Sequence, residues 1–522
     1  MSVLTHARTL GDVISGHAAE RPDKVAFETL DGHAVTFGDF DRRVNRLTHA
    51  LQALGLKYGD RVAILSRNRP EYVEVFGTSR SGLITVPLNW RLTAPELTRL
   101  IQHSQPRALF VDASHRELVE SLRSQLPSVE HFVLMGQSHE GWSSYEDLVS
   151  SGTEAAPATG AAPHDVLCLI YTSGTTGAPK GVAVTHAAAL GNGRMAASEM
   201  LGMTAQDHTM AVMPLFHAGG MWYHLFPSYA TGCTTLILSE FEPGTVLREL
   251  QARRITNVHL VPTMIGALLA HPEAALADLR HVRLLFYAAS SMPPDLLRRA
   301  MLAFPACGFA QAYGSTEGGV ITVLGPADHR RARDPEGERL LLSCGRPFSG
   351  HDVRVVDHLD QVVAQGAVGE IEVRSPDLMQ GYWLNDEATS AVLRDGWLKT
   401  GDLGYFDGEG YLYIVDRKND MVVTGGENVY PNEVEGHLFA DPDVLEAAVF
   451  GIPDPRWVEK VVAAVVLRPG AQADPEGLIE RLRLRLAHYK CPKAIFFTSS
   501  LPKSAVGKVL RKELRKQYGA NT

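Results

Sequence analysis

The sequence has 522 residues, 45% of them apolar, which is enough for two or more domains that each bury a sizeable core. A formal charge of −9 with no basic block excludes the phosphate-neutralising surface of a nucleic-acid binder. The five cysteines, Cys168, Cys233, Cys307, Cys344 and Cys491, form no CxxC pair and are odd in number, so neither a disulfide framework nor a zinc site is expected, and a reducing, cytoplasmic location is.

Arg8, Asp12, Glu20, Arg21 and Asp23 interrupt the first thirty residues, so no signal peptide or membrane span is expected there. The run Arg61-Val62-Ala63-Ile64-Leu65 predicts a buried strand, Pro70 to about Gly82 a helix, and Leu83 to Pro87 a second strand: a βαβ unit. The alternation recurs around 108–111, 235–238, 257–260 and 282–287, while the Ala/Gly-rich stretch 151–163 reads as a flexible linker. Between Gly345 and about Ser375 short alternating strands, 353–356 and 370–373, predict a small β subdomain. A compact tail follows Asp416-Arg417-Lys418-Asn419-Asp420, with helices near 432–439 and 478–486 and a strand over 461–467. The expected fold is α/β: a large N-terminal domain of stacked, mostly parallel sheets with helices (1–418, with the β subdomain at about 340–418), and a small mobile α+β C-terminal domain (419–522).

The most informative segment is Tyr171-Thr172-Ser173-Gly174-Thr175-Thr176-Gly177-Ala178-Pro179-Lys180-Gly181. Its hydroxyls and amides donate, Gly174 and Gly177 permit close backbone approach, and Lys180 adds charge, so the set can surround a polyphosphate. It is not a Walker A loop, because Gly181 rather than Ser or Thr follows Lys180. A Ser/Thr/Gly surface loop is the plain alternative, but random composition matches the fixed positions of Ser-Gly-Thr-Thr-Gly-x-Pro-Lys-Gly on the order of 10⁻¹⁰ times per start point.

With this loop the chain resembles the adenylate-forming (AMP-binding) superfamily of acyl-CoA synthetases, luciferases and peptide-synthetase adenylation domains, and other motifs extend the resemblance over nearly the whole sequence. It implies that Thr172, Ser173, Gly174, Thr175, Thr176, Gly177 and Lys180 hold the ATP phosphates. In Gln311-Ala312-Tyr313-Gly314-Ser315-Thr316-Glu317 it places Tyr313 and Gly314 at the adenine, Thr316 on the α-phosphate and Glu317 on Mg²⁺. One carboxylate beside a metal-bound polyphosphate is a sensible Mg²⁺ ligand. Asp402, in Trp397-Leu398-Lys399-Thr400-Gly401-Asp402, and Arg417 match the pair at the ribose hydroxyls, and Lys508, in Pro502 to Leu510, matches the C-terminal catalytic lysine. Ala288-Ala289-Ser290-Ser291 stands where relatives often read Gly-Gly-Ala-Pro, which sets Ala289 and Ser290 beside AMP and Ala288 on an acyl wall narrowed by two methyl groups. Asn419 aligns with the hinge pivot, and Gly425, Gly426 and Glu427, in Thr424 to Pro431, line the path of a pantetheine arm.

The chemistry asks for such a set. An anionic carboxylate attacking an anionic α-phosphate accumulates charge, for which Lys508, Lys180 and Mg²⁺ are the candidate stabilisers, with Thr316 and Glu317 as further candidate catalytic groups. Pro214-Leu215-Phe216-His217-Ala218-Gly219-Gly220-Met221-Trp222 resembles the acyl-pocket segment, with His217 as a wall or gate and Met221, Trp222, Ala288 and Gly314 as further lining. Those aromatics are equally suited to a helix core. Phe216-His217 offers no carboxylate to pair an α-ammonium, which disfavours amino acids, and the small Ala218-Gly219-Gly220 run suits an aromatic, alicyclic or medium-chain acid. The expected enzyme is an ATP-, Mg²⁺- and coenzyme A-dependent acyl-CoA synthetase that forms acyl-AMP and releases pyrophosphate, with a homodimer left open. The alternatives are a ligase loading an acyl-carrier protein, a luciferase-like oxidase and a non-catalytic nucleotide-binding regulator.

Overall fold

The computed structural model describes residues 2–136, 138–158, 160–172, 179–290, 292–424, 427–503 and 509–519. They form two compact units, residues 1–352 with 373–398, and residues 353–372 with those from 399 onward.

The first unit holds two mixed sheets. In the eight-stranded sheet Ile84–Pro87, Arg61–Leu65, Ala108–Asp112 and His131–Met135 lie side by side and parallel. Val166–Thr172, Lys180–Thr185 and Gly381–Tyr382 close one side in antiparallel register. The nine-stranded sheet is parallel from Gly308–Ser315 through Leu284–Tyr287, Asn257–Leu260, His208–Ala211 and Thr234–Ile237 to Val25–Glu28, and its margins are antiparallel. Apolar runs such as Ala108-Leu109-Phe110-Val111 have no exposed face, because crossover helices cover both sides of a parallel sheet. A core of Phe27, Phe37, Phe40, Tyr72, Phe76, Trp222 and Tyr229 is part of the packing in this unit.

Two expectations shift. The helix from Pro70 ends at Gly77 and continues to Ser81 as a 3₁₀ turn, where Thr78 and Ser81 hydroxyls donate back to the Val75 and Thr78 carbonyls and tighten the winding. The stretch read as a flexible linker is fastened along the Phe37–Ala53 helix: Asn45 donates to the Glu154 carbonyl at 2.9 Å, Arg46 pairs with Glu154, and Gly152 abuts the Arg46 backbone too closely to admit a Cβ.

In the second unit, residues 353–356, 369–372, 399–406 and 412–417 make a small sheet. A separate sheet runs Glu427–Val429, Val422–Thr424, Val458–Leu467, Val444–Asp454, with Ala494–Phe497 parallel to Val458–Leu467. Val444–Asp454, which the sequence reading left unassigned, is the longest strand of this sheet. Ala447 and Val449 face one apolar cluster, and Ala448, Phe450 and Ile452 face the other.

Candidate active site

Thr316-Glu317-Gly318 forms the turn between the antiparallel strands Gly308–Ser315 and Gly319–Leu324. The turn is pinned from several sides. Gly318 N–H donates to Ser315 Oγ at 2.9 Å, and Tyr223 OH donates to the Ser315 carbonyl at 2.7 Å. Val320 N–H donates to Asn192 Oδ1 at 2.9 Å, and Met379 N–H donates to the Glu317 carbonyl at 2.8 Å. Gly319 has φ +68° with the Asn192 amide where a Cβ would stand, so this corner requires glycine twice over.

Tyr382, which the sequence reading missed, joins two predicted residues. Its hydroxyl donates to Glu317 Oε1 at 3.0 Å, and the Lys180 ammonium sits 4.9 Å from its ring centroid. Burial, reinforced by the Glu317 charge, raises the Tyr382 phenol far above its ordinary value, so it remains a proton donor. Lys180 opens its strand opposite Thr172, the last residue of Val166–Thr172, which brings both ends of the signature loop together. Ser173, Gly174, Thr175, Thr176 and Gly177 lie outside the described residues. Among the described residues no three His, Cys, Asp or Glu side chains gather to hold a metal. A lone glutamate suits a Mg²⁺ ion that arrives on nucleotide phosphates and keeps its other positions for water and substrate.

Ala288, Ala289 and Ser290 follow the carboxyl end of the Leu284–Tyr287 strand. Ala288 is buried, Ala289 is exposed, and Ala289 has φ +75°, a left-handed conformation that an L-residue adopts at a cost. Ala289→Gly is therefore expected to raise stability by about 0.5–1 kcal/mol, after the entropy that glycine adds to the unfolded chain is deducted. Urea denaturation reads this as a higher midpoint at unchanged slope, and a lower midpoint would contradict it.

The acyl segment is wound irregularly: a short helical turn Ala218–Gly220, a π turn Met221–Leu225, then Phe226–Thr231. The winding turns Tyr223 toward Ser315. Met221 and Trp222 point into the core, and the Trp222 ring lies 5.5 Å from both Phe76 and Phe226. That is the packing alternative noted for these aromatics, and it leaves His217, half-buried beside Phe216, and Gly219 as the segment's partly open positions. Gly220 abuts the Pro214 carbonyl, and a Cβ on Gly219 would meet His259 Cε1 at 3.4 Å.

His259 is buried, and neither of its ring nitrogens has a hydrogen-bond partner among the described residues. The Gly219 backbone exerts only a weak electrostatic pull on it. Burial, with His224 adding to it, pushes His259 down to about 3, and burial pushes His224 down to about 4, so both rings are neutral. His224 Nε2 donates to Asn257 Oδ1 at 3.1 Å, and Asn257 Nδ2 is left without a partner among the described residues. Each orphaned polar group costs about 1–3 kcal/mol in a core. The sequence did hold a signal: Asn257 and His259 are two apart on an otherwise apolar strand and so share a face.

In the second unit Asp402 and Arg417 are register partners on adjacent antiparallel strands, with Arg417 Nε 3.3 Å from Asp402 Oδ1. Asp402 is nearly buried while the Arg417 side chain is open. Asp416 accepts from Arg417 N–H at 2.7 Å and Asn432 N–H at 2.8 Å, and burial pushes it up to about 6. Asn419 is exposed in the following turn with an ordinary negative φ, and its carbonyl accepts from Arg515 at 3.4 Å. Arg511 ties the segment down through Asp420 at 3.3 Å and Glu435 at 2.7 Å. Glu427 is exposed on its strand, while Gly425, Gly426 and Lys508 lie outside the described residues.

Residues 14–383 match the AMP-binding enzyme family, and residues 433–508 match the AMP-binding enzyme C-terminal domain. The chain is 37% identical to a feruloyl-CoA synthase of an Amycolatopsis species, covering 94% of this chain and 95% of the relative. It is also 37% identical to the fatty acid–[acyl-carrier-protein] ligase ScoC of Streptomyces coeruleorubidus, covering 98% and 96%. Among solved structures, ATP-bound MatB of Rhodopseudomonas palustris superposes with a TM-score of 0.88 at 29% identity, over 98% of this chain and 99% of that one. With the Glu317 turn, the Asp402–Arg417 pair and both family matches in place, the chain belongs to the AMP-binding, adenylate-forming superfamily, among the AMP-forming acid–thiol ligases.

Proposed function

We propose that this enzyme converts an aromatic, alicyclic or medium-chain carboxylic acid to its acyl-CoA through an enzyme-bound acyl-AMP, releasing pyrophosphate and then AMP. The observation that carries the reading is the Lys180–Tyr382–Glu317 chain, which sets a cation and a metal-binding carboxylate on opposite sides of one phenol. In this scheme Lys180 and the Thr172–Gly177 loop hold the phosphates, with Thr316 at the α-phosphate. Mg²⁺ on Glu317 neutralises the departing pyrophosphate, and Tyr313, Gly314, Ala289 and Ser290 flank the adenine. Asp402 accepts the ribose hydroxyls with Arg417 beside it, and Lys508 approaches the carboxylate and α-phosphate. His217, Ala288 and Gly314 bound the acid. A C-terminal domain of residues 419–522 then swings about Asn419 on the 1–418 body, so that Gly425, Gly426 and Glu427 guide the thiol of coenzyme A. All five cysteines are unpaired, which suits a reducing cytoplasm, and no described helix is long and apolar enough to cross a membrane.

The likeness to ScoC favours one second reading, in which the thiol belongs to an acyl-carrier protein. A pyrophosphate-release screen over fatty, aromatic and dicarboxylic acids, with ATP and Mg²⁺ and with either coenzyme A or phosphopantetheinylated carrier protein, separates them. Acid-dependent release with acylated coenzyme A is expected. Acylation of the carrier alone would favour the second reading, and no acid-dependent release would refute both.

A further inference from the structure

The inference concerns the pocket wall behind Gly219 and rests on the acid-activation reading above. Residue 219 is the point in the acyl segment where no side chain stands between the half-open site and the sheet, and directly behind it lies the His259 ring. His259 belongs to the Asn257–Leu260 strand and is in register with Phe286 on the next strand, near the carboxyl ends where a parallel sheet gathers ligands. The Phe286 ring, 4.4 Å away, and His224, 6.1 Å away, fix its plane without satisfying its nitrogens. Asn257 Nδ2, on the same strand face, is a third orphan. Buried polar atoms are nearly always paired, so three together beside a substrate-facing glycine mark a place where a partner is supplied from outside the fold. The rings are neutral and no charged side chain partners them among the described residues, so the wall does not suit the carboxylate. A neutral imidazole is one donor and one acceptor, which complements a hydroxyl.

We propose that His259, assisted by Asn257, is a specificity-determining residue that hydrogen-bonds a neutral polar substituent of the acyl group, so that the preferred substrates are aromatic acids bearing a hydroxyl or a similar hydrogen-bonding group away from the carboxylate. A site built to pair a substrate hydroxyl rejects the analogue lacking it, because its own buried groups are then left unpaired.

The test compares kcat/KM for matched acids, 4-hydroxycinnamate against cinnamate and 4-hydroxybenzoate against benzoate, in the full-length enzyme and its variants. The wild type is expected to prefer the hydroxylated member of at least one pair by about tenfold or more. His259→Phe, which keeps an aromatic ring and removes both nitrogens, should lower that ratio at least about tenfold, whereas His259→Gln, which keeps a donor and an acceptor, should hold it within about threefold. The melting temperature of His259→Phe should be unchanged or higher, since orphaned polar atoms are replaced by an apolar ring. Equal use of both members of every pair, an unchanged ratio in His259→Phe, or a fall of more than about 5 °C in its melting temperature would each overturn the proposal. Failure to turn over any acid would instead remove the activation reading beneath it.

Discussion

Replacing Lys508 by alanine is expected to slow acyl-AMP formation by roughly 10²-fold or more while transfer from supplied acyl-AMP to the thiol persists. The asymmetry follows from where charge develops. In the first half-reaction two anions approach, and negative charge grows along the line from carboxylate to pyrophosphate, so a cation placed there is worth far more than at a neutral step. In the second, a thiolate attacks an already activated acyl carbon and AMP leaves as an anion that its own Mg²⁺-free phosphate stabilises. Lys503 is the internal control. Its ammonium is committed to Glu446 at 2.5 Å, and its backbone bridges to Val509. Lys503→Ala should therefore change adenylation by less than about threefold, as for an exposed ion pair. Acid-dependent exchange of pyrophosphate into ATP measures the first step, and release of AMP from synthetic acyl-AMP with thiol measures the second. Undiminished adenylation in Lys508→Ala, or an equal loss in both steps, would refute the assignment.

Much of this site was legible in the sequence because the residues that meet phosphate are locally encoded. Glycines and hydroxyls at fixed spacing, or an aspartate after a glycine, carry their chemistry wherever the fold puts them. The buried strands were legible for the same reason, since continuous Val, Ile, Leu and Phe over 108–111 or 61–65 has few other uses. The strand Val444–Asp454 was not, because alanines carry little strand preference and Gly451 and Pro453 punctuate its end. Tyr382 escaped because its role depends on pairing with Lys180–Thr185, almost two hundred residues earlier in the chain. Met221 and Trp222 show the reverse difficulty: a π turn adds a residue to the winding, so helical spacing cannot say which side chains face the site and which the core. His259 and Asp377 carry no local sign of their surroundings, since burial of a polar group is settled by tertiary packing alone.

Asp377 gives the second large effect. Its carboxylate is buried, packed against the backbone of the His186–Met195 helix at Gly191, with Arg194 as the one charged group that offsets the cost. Desolvation pushes it up to about 7. Because the folded value lies above the unfolded one near 3.8, the folded state binds the proton more tightly. The group's stabilising contribution is thus complete below about pH 4 and is lost as pH rises through 7. Asp377→Asn, which is neutral at every pH, should therefore be more stable than the parent by about 2–4 kcal/mol at pH 8.5, with the gain shrinking to near zero at pH 4–5. Paired urea titrations across that range, followed by tryptophan fluorescence, give the difference curve. The site should register the change as well, because Met379, two residues on, donates its N–H to the Glu317 carbonyl. Ionising Asp377 strains the segment that holds the Glu317 turn, so the parent's KM for ATP should rise above pH 7 and that of Asp377→Asn should stay flat. A stability difference that does not vary with pH would show that the Asp377 carboxylate keeps an ordinary acidity, and the predicted link between its proton and the Glu317 turn would fall with it.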